Sequence, residues 1–238
     1  KLIKRQLSFE KSGFYFIGLF VLVILGFWPS YFSKFFDGTA DFNFYFHFHV
    51  VIATLWLILL IVQPILIRKK KIRLHRTLGK FSYVLVPLIF ISVMLLAHHR
   101  ITGNEEDLGL ILWIPFKDLL ILGVAYFIAI RYRKSLQIHA RGMIAAGIVL
   151  IEPALVRFIL YTFFPESGFA PEGYLATIII IYLLFIGLII AESKQKSGRW
   201  VFPLIFGLYI FVHSVIIFQI QIAPWQSFSR WFASLPLT

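Results

Sequence analysis

Apolar runs of membrane-spanning length recur along this chain of 238 residues and constrain its fold more than any other feature. Three of them, Phe14–Trp28, Val50–Ile67 and Leu175–Ile190, contain no charged side chain. About 20 apolar residues cross the hydrocarbon core of a bilayer. The chain is 60% hydrophobic and 14% charged, whereas soluble proteins are about 25% charged. Soluble enzymes, disordered tails and nucleic-acid-binding modules are therefore excluded.

The apolar segments predict an all-α integral membrane bundle of seven transmembrane helices, forming one domain over residues 1–238. Short polar gaps separate the segments, so helices that are adjacent in sequence are expected to pack antiparallel. The predicted spans are 13–32, 44–67, 77–97, 108–130, 140–164, 174–191 and 201–222.

The positions of the basic residues predict the orientation of this bundle. Of the 23 lysines and arginines, 18 fall at the N-terminus or near the loops after the second, fourth and sixth spans. Basic loops stay cytoplasmic, which puts the N-terminus inside and the C-terminus outside. The net charge of +12 is thus mainly a topology signal, with the lipid bilayer and not nucleic acid as the partner. We expect a bacterial inner membrane protein.

Four charged residues interrupt otherwise apolar spans: Lys117, Asp118, Glu152 and Arg157. A charge at mid-bilayer costs about 2.5–3.5 kcal/mol on insertion scales, so such residues normally face the bundle interior and have partners. One interpretation is that they pair only to hold helices together. The other is a ligand or cofactor site in the outer half of the membrane, beside a kink caused by Pro153, which frees the carbonyl of Val149.

Histidines in the same half of the membrane extend this candidate site. His47 and His49 are two residues apart and point to nearly opposite sides of their helix. We expect His49 to face the core, because Trp56 and Gln63 continue its face. His213 lies within the last span, and His98 and His99 lie near the outer surface.

A second pair, His75 and His139, begins the third and fifth spans at the cytoplasmic side. Two imidazoles at one depth on separate helices suit the axial positions of a haem, or a metal ion. Arg76 and Arg141 are placed to neutralise haem propionates or lipid phosphates. The alternative is that both histidines are merely interfacial. The chain has no cysteine, so His49, His75 and His139 are the leading metal-ligand candidates.

Part of the chain resembles a known family. The resemblance rests on His49, the segment Leu74-His75-Arg76-Thr77-Leu78-Gly79-Lys80, the segment His139-Ala140-Arg141-Gly142-Met143, and Arg157. Together they resemble the multi-spanning membrane family called domain of unknown function 2306, over about 49–158 within a family-like core of about 44–164. The resemblance implies the membrane fold and a special standing for these three histidines and Arg157, without a reaction. The layout is also similar to membrane cytochromes b.

Three functions follow as hypotheses. The leading one is haem b binding and electron transfer, as a redox protein or a subunit of a membrane redox complex, with a quinone-like small molecule as a candidate partner. The second is a non-enzymatic accessory or assembly subunit whose buried charges only lock helices. The third is a small-molecule or ion transporter, against which we find no inverted repeat. Enzymatic activity is left open.

The charge pattern generates a topology test. Accessibility tags inserted in Lys69–Arg73 and Lys194–Lys196 should be cytoplasmic, because these loops carry the basic residues. Tags in Asn104–Asp107 and after Thr238 should be external. A cytoplasmic C-terminus would contradict the seven-span count.

Overall fold

A computed structural model describes residues 9–166 and 170–238, and over these residues the protein is all helical, with no strand. The basic residues Lys1, Lys4 and Arg5, which contribute to the topology prediction, lie outside the described residues. Ten α-helices occur in the described chain. They are α1 (Ser12–Phe27), α2 (Phe44–Arg68), α3 (Ile72–Gly79), α4 (Ser82–His99), α5 (Leu108–Arg131), α6 (Leu136–Ile148), α7 (Ile151–Phe163), α8 (Pro171–Ala191), α9 (Val201–Ile217) and α10 (Ala223–Ala233).

Six helical segments are long and apolar enough to cross a membrane by length and composition, so the membrane-spanning helical bundle is confirmed. They are Ser12–Phe35, Phe44–Arg68, Ile72–His99, Leu108–Arg131, Leu136–Phe163 and Pro171–Ala191. The predicted seventh span is represented by α9, a shorter apolar helix of 17 residues. It ends at Ile217, five residues before the predicted limit, where Gln219 adopts a positive φ of 48°. The count of seven spans stays a prediction.

Two of the long segments are interrupted helices. The segment Ile72–His99 breaks near its start, between α3 and α4. The segment Leu136–Phe163 breaks at its middle, where α6 ends at Ile148 and α7 begins at Ile151. Pro153 lacks the N–H that would bond the carbonyl of Val149, so a continuous α-helix is not supported there. The break expected from Pro153 is therefore present.

Small residues let the helices approach closely. A Cβ at Gly142 on α6 would crowd Ala129 on α5, and a Cβ at Gly26 on α1 would crowd the backbone of Ala154 on α7. Such contacts are typical of membrane bundles, where van der Waals packing replaces the hydrophobic effect between helices. They place α7 against α1 on one side of the bundle and α6 against α5 on another.

The outer surface of the bundle is apolar. Large side chains such as Phe127, Leu183 and Ile190 are 62–67% exposed. An apolar surface this extensive is expected to contact lipid, in agreement with the bilayer as a partner.

The loops meet at two ends. At one end, which we call the basic end, lie the connections 69–71, 132–135 and 192–200. There the rings of Tyr132 and Trp200 have centroids 5.9 Å apart, and Arg133 donates to Tyr83 at the start of α4 at 3.1 Å. At the opposite end Asn43 caps α2 by accepting from the backbone N–H groups of Tyr45 and Phe46. The short helix α10, which sequence reasoning missed, packs there against α5, and Trp225 donates to the carbonyl of Gly109 at 2.7 Å.

Candidate functional site

The centre of the site is a buried ammonium group on α5. Lys117 is 1% exposed, and its Nζ donates to Asp118 Oδ1 at 2.7 Å and to Glu152 Oε1 at 2.6 Å. Glu152 is 3% exposed, whereas the side chain of Asp118 is 22% exposed. A cation therefore ties α5 to α7, and the expected close contact between a carboxylate and a cation within this set is present.

Glu152 accepts from two further helices. His213 Nε2 on α9 donates to Glu152 Oε2 at 3.1 Å, and Tyr174 Oη on α8 donates to Glu152 Oε1 at 3.3 Å. One carboxylate thus collects donors from α5, α8 and α9. Since a buried anion is stable only when it is paired and hydrogen-bonded, Glu152 is the point at which four helices are joined.

The interrupted helix explains why Glu152 occupies this position. It is the second residue of α7 and lies in the first turn after the break. Backbone N–H groups at a helix N-terminus have no partner within the helix and stabilise a nearby negative charge. The break at the middle of the segment thereby creates a favourable place for an anion inside the bundle.

His213 is enclosed by aromatic rings. Its ring stacks on Tyr182 at a centroid distance of 5.6 Å, and Tyr209 lies at the same distance. Because Nε2 donates to Glu152, the neutral imidazole carries no proton on Nδ1. No protein hydrogen bond reaches this buried Nδ1, or the buried Tyr209 hydroxyl, within the described residues. The lone pair of Nδ1 therefore has no partner among the described residues.

Arg157, the fourth predicted charge, does not join this network. It forms no ion pair with a described carboxylate. Its Nη1 donates to the carbonyl of Pro153 at 2.8 Å, and its guanidinium lies 4.6 Å from the ring of Phe27. The close carboxylate–cation contact expected within this set is made by Lys117, and Arg157 takes no part in it.

His49 faces the bundle interior, as expected from its helix face. Its Nδ1 lies 3.1 Å from Ser92 Oγ on α4, and Ser92 in turn donates to the carbonyl of Ile89. Ser92 has one proton, so His49 is the donor and its Nε2 is bare. His47 points elsewhere and contacts the Tyr31 hydroxyl at 2.8 Å.

The other outer histidines do not converge with His49. His98 bonds Thr238 at 2.7 Å, His99 contacts Asn43, and His213 bonds Glu152. In the described ranges no group of three or more His, Asp or Glu side chains is placed to hold a metal ion. Apart from the helix face assigned to His49, the outer set was predicted from depth, and depth does not specify the face of the helix on which a side chain lies.

The inner pair is brought together. The rings of His75 on α3 and His139 on α6 have centroids 6.5 Å apart. His139 Nδ1 donates to the carbonyl of Ala129 at 2.9 Å, which leaves its Nε2 bare. The side-chain amide of Gln63 on α2 forms hydrogen bonds with its polar neighbours when its nitrogen donates both to Nδ1 of His75 and to the backbone carbonyl of His75. That arrangement keeps the proton of His75 on Nε2, so only His139 presents a bare nitrogen for a metal.

The two arginines expected at haem propionates behave differently from each other. Arg141 is completely buried, contacts Glu192, donates to the carbonyl of Gln137 at 2.7 Å and stacks on Phe9. It holds α6 against the end of α8, and its complete burial leaves no surface open to a propionate. Arg76 is exposed at the basic end.

Sequence reasoning missed three partners at these sites. Glu192 was not singled out because it lies at the end of an apolar span, yet it is 2% exposed and pairs with Arg141. Tyr174 and Tyr209 were treated as ordinary aromatic residues. The available signal was the short distance in sequence between Glu192 and a basic loop that contains no other acid.

An apolar cleft leads to Lys117. It has a volume of about 390 Å³ and is lined by side chains of α4, α5 and α10, among them Phe90, Phe116, Lys117 and Trp225. The indole N–H groups beside it are occupied, since Trp225 donates to Gly109 and Trp113 donates to Val212. The cleft offers apolar contact only.

Comparisons of the whole sequence with family models, curated proteins and solved structures gave no match. The chemistry of the site therefore carries the functional conclusion.

The pairing of Lys117 with Glu152 generates a stability test. Lys117→Met should lower the free energy of unfolding by about 3–5 kcal/mol, because it leaves a buried carboxylate unpaired. Glu152→Gln should act in the same direction. The double variant should lose much less than the sum of the two, measured by denaturation in mixed micelles. The exposed Lys80→Met is the control, and strictly additive losses would contradict the pairing.

Proposed function

We propose that this protein is a proton-exchanging membrane transporter in which Glu152 takes up and releases the proton. The observation that supports the proposal is that Lys117 contacts two carboxylates: it keeps Asp118 as a counter-ion when Glu152 is protonated, and His213 donates to the same Glu152. Ionisable residues inside membrane spans commonly mark proton relays or ion pathways.

The chemistry of a proton step follows from these contacts. A proton arriving at the bare Nδ1 of His213 allows Nε2–H to pass its proton to Glu152. A protonated Glu152 is neutral, so Lys117 then keeps only Asp118 as its counter-ion. The ionic link between α5 and α7 is lost, and it forms again when Glu152 releases the proton.

The broken segment connects this step to motion. Glu152 lies next to the interruption between α6 and α7, and interrupted helices near the middle of the membrane frame the sites of many secondary transporters. Two states that differ in the Lys117–Glu152 contact would differ in the position of α7. In the predicted orientation, with the basic loops in the cytoplasm of a bacterium, the carboxylate is expected in the outer half of the bilayer.

The accessory-subunit hypothesis predicts the opposite protonation behaviour for Glu152. Two cations and two anions, Lys117 and Arg157 with Asp118 and Glu152, balance in number. If they only lock helices together, Glu152 stays ionised whenever the protein is folded. Titration of Glu152 in the native protein separates the two functions.

Infrared difference spectroscopy of the purified protein in lipid tests the proposal. Between pH of about 4 and about 9, a protonated-carboxyl band should appear on acidification and should be absent in Glu152→Gln. Glu192→Gln is the matched control, because Glu192 is a second buried acid paired with a basic residue. A native protein without a titrating band, or a band that persists in Glu152→Gln, would favour the accessory subunit.

Haem b binding with electron transfer is the second candidate, favoured by the 6.5 Å between the rings of His75 and His139. When bound, haem would supply one-electron chemistry. His139 would offer Nε2, held in orientation by Ala129, while His75 would have to release Gln63 to offer a bare nitrogen. These hydrogen bonds leave a bare nitrogen on His139 but not on His75. They would therefore suit one histidine ligand to haem and not two.

An absorption spectrum checks this candidate. Protein purified from haem-replete cells should show a Soret band and reduced α and β bands, and His139→Ala should remove them. His47→Ala is the control, because His47 lies at the opposite end beside Tyr31. A colourless protein, or a spectrum that His139→Ala leaves intact, would exclude haem at the inner pair.

A further inference from the structure

Two segments at the basic end carry many positive charges and no negative one. Residues 68–80 contain seven lysines and arginines, residues 131–134 contain three, and neither segment has an aspartate or a glutamate. None of these ten side chains forms an ion pair with a described carboxylate. Like charges that are held together in a folded protein repel one another. An anion from outside the described chain would offset this repulsion.

Three measured contacts bring the two segments together. The rings of His75 on α3 and His139 on α6 have centroids 6.5 Å apart. His139 also donates to the carbonyl of Ala129 near the end of α5 at 2.9 Å. Arg133, just after α5, donates to the hydroxyl of Tyr83 at the start of α4 at 3.1 Å. The end of α5 and the starts of α4 and α6 therefore meet beside α3.

Arg133 is fixed in place and still has donors to offer. Its guanidinium makes one hydrogen bond within the described chain, to the neutral hydroxyl of Tyr83, and a guanidinium carries five N–H groups. Both Arg133 and the next residue, Lys134, are exposed. Two cations thus lie at the surface beside the first turn of α4, with the direction of one of them set by Tyr83.

Large apolar side chains border these two cations. Phe81 and Val84, on either side of Tyr83 in the sequence, are each more than half exposed, and so is Leu136, two residues after Lys134. A soluble anion would need the cations alone. A surface that joins basic groups at the end of a membrane bundle to exposed apolar side chains matches both parts of a phospholipid, the charged headgroup and the acyl chains.

We infer that this surface is a binding site for an anionic phospholipid. Arg133 and Lys134 bind the phosphate, with the fork of the guanidinium suited to paired N–H···O bonds. The acyl chains lie along Phe81 and Val84. The exposed Arg73 and Arg76 on α3 strengthen the attraction over a longer range without touching the lipid.

The bound lipid would act as a link between helices. Its phosphate offsets the repulsion between residues 68–80 and residues 131–134, and so holds the break between α3 and α4 beside the connection from α5 to α6. In the predicted orientation the site lies in the cytoplasmic leaflet, where anionic lipids attract basic segments next to membrane spans. The site does not require proton exchange at Glu152, on which the proposed function rests.

Thermal denaturation of the purified protein, washed free of lipid in dodecyl maltoside, tests the site. Phosphatidylglycerol should raise the melting temperature in a saturable way, because a ligand that binds only the native state stabilises it. Phosphatidylcholine, which has similar acyl chains and no net charge, should have a much smaller effect. Added salt should weaken the effect of phosphatidylglycerol, because salt screens exposed charges.

Two results of these titrations would overturn the inference. Equal shifts with phosphatidylglycerol and phosphatidylcholine would mean that only the apolar surface binds. A shift of the same size with inorganic phosphate would mean that the ligand is a soluble anion and not a phospholipid. A native protein without any saturable shift would likewise exclude the site.

Variants assign the effect to the two cations. Arg133→Gln and Lys134→Gln should each weaken the apparent affinity for phosphatidylglycerol about fivefold. Tyr83→Phe, which keeps every charge and removes the acceptor that orients Arg133, should weaken it less. Arg230→Gln, an exposed arginine on α10 at the opposite end, is the matched control.

Unchanged affinity in Arg133→Gln, or an equal loss in Arg230→Gln, would contradict the assignment. Arg133 and Lys134 both lie in the connection between α5 and α6. The Lys134→Gln variant therefore gives the same test if Arg133→Gln does not fold.

Discussion

The burial of one ammonium group governs the arrangement of this bundle. Lys117 cannot be removed from water without anions beside it, and its partners come from its own helix and from α7. Because Glu152 must lie within reach of Lys117, the break in the segment Leu136–Phe163 lies against α5. Since Glu152 also holds His213 and Tyr174, α8 and α9 are positioned by the same carboxylate.

The two buried carboxylates of the described chain differ in what surrounds them. Glu192 is matched to Arg141, whose remaining contacts are with Gln137 and Phe9; a group that always remains charged is suited to a permanent link between helices. Glu152 instead faces Lys117, a histidine and a tyrosine. The contact between Glu192 and Arg141 suits a fixed link between α6 and α8, whereas the function we propose requires the network around Glu152 to change its protonation.

Sequence reasoning identified the important residues better than it paired them. The apolar runs, the four charges within spans and the break before Pro153 were all recognisable, because each breaks a simple rule of membrane insertion. Which of the two cations, Lys117 or Arg157, pairs with the carboxylates was left open, since depth along a helix does not say which of them reaches a carboxylate. Arg141 was assigned to a ligand because its partner Glu192 is 51 residues away.

Hydropathy by itself determined that this protein is a helical membrane bundle, because the bilayer core leaves an apolar chain few other structures. The same pattern marked Lys117, Asp118, Glu152 and Arg157 as costly and therefore significant. Only the tertiary structure decided that Lys117 takes both carboxylates and that the guanidinium of Arg157 lies against Phe27. Contacts between helices depend on rotation about each helix axis, and this rotation is set by packing of the whole bundle.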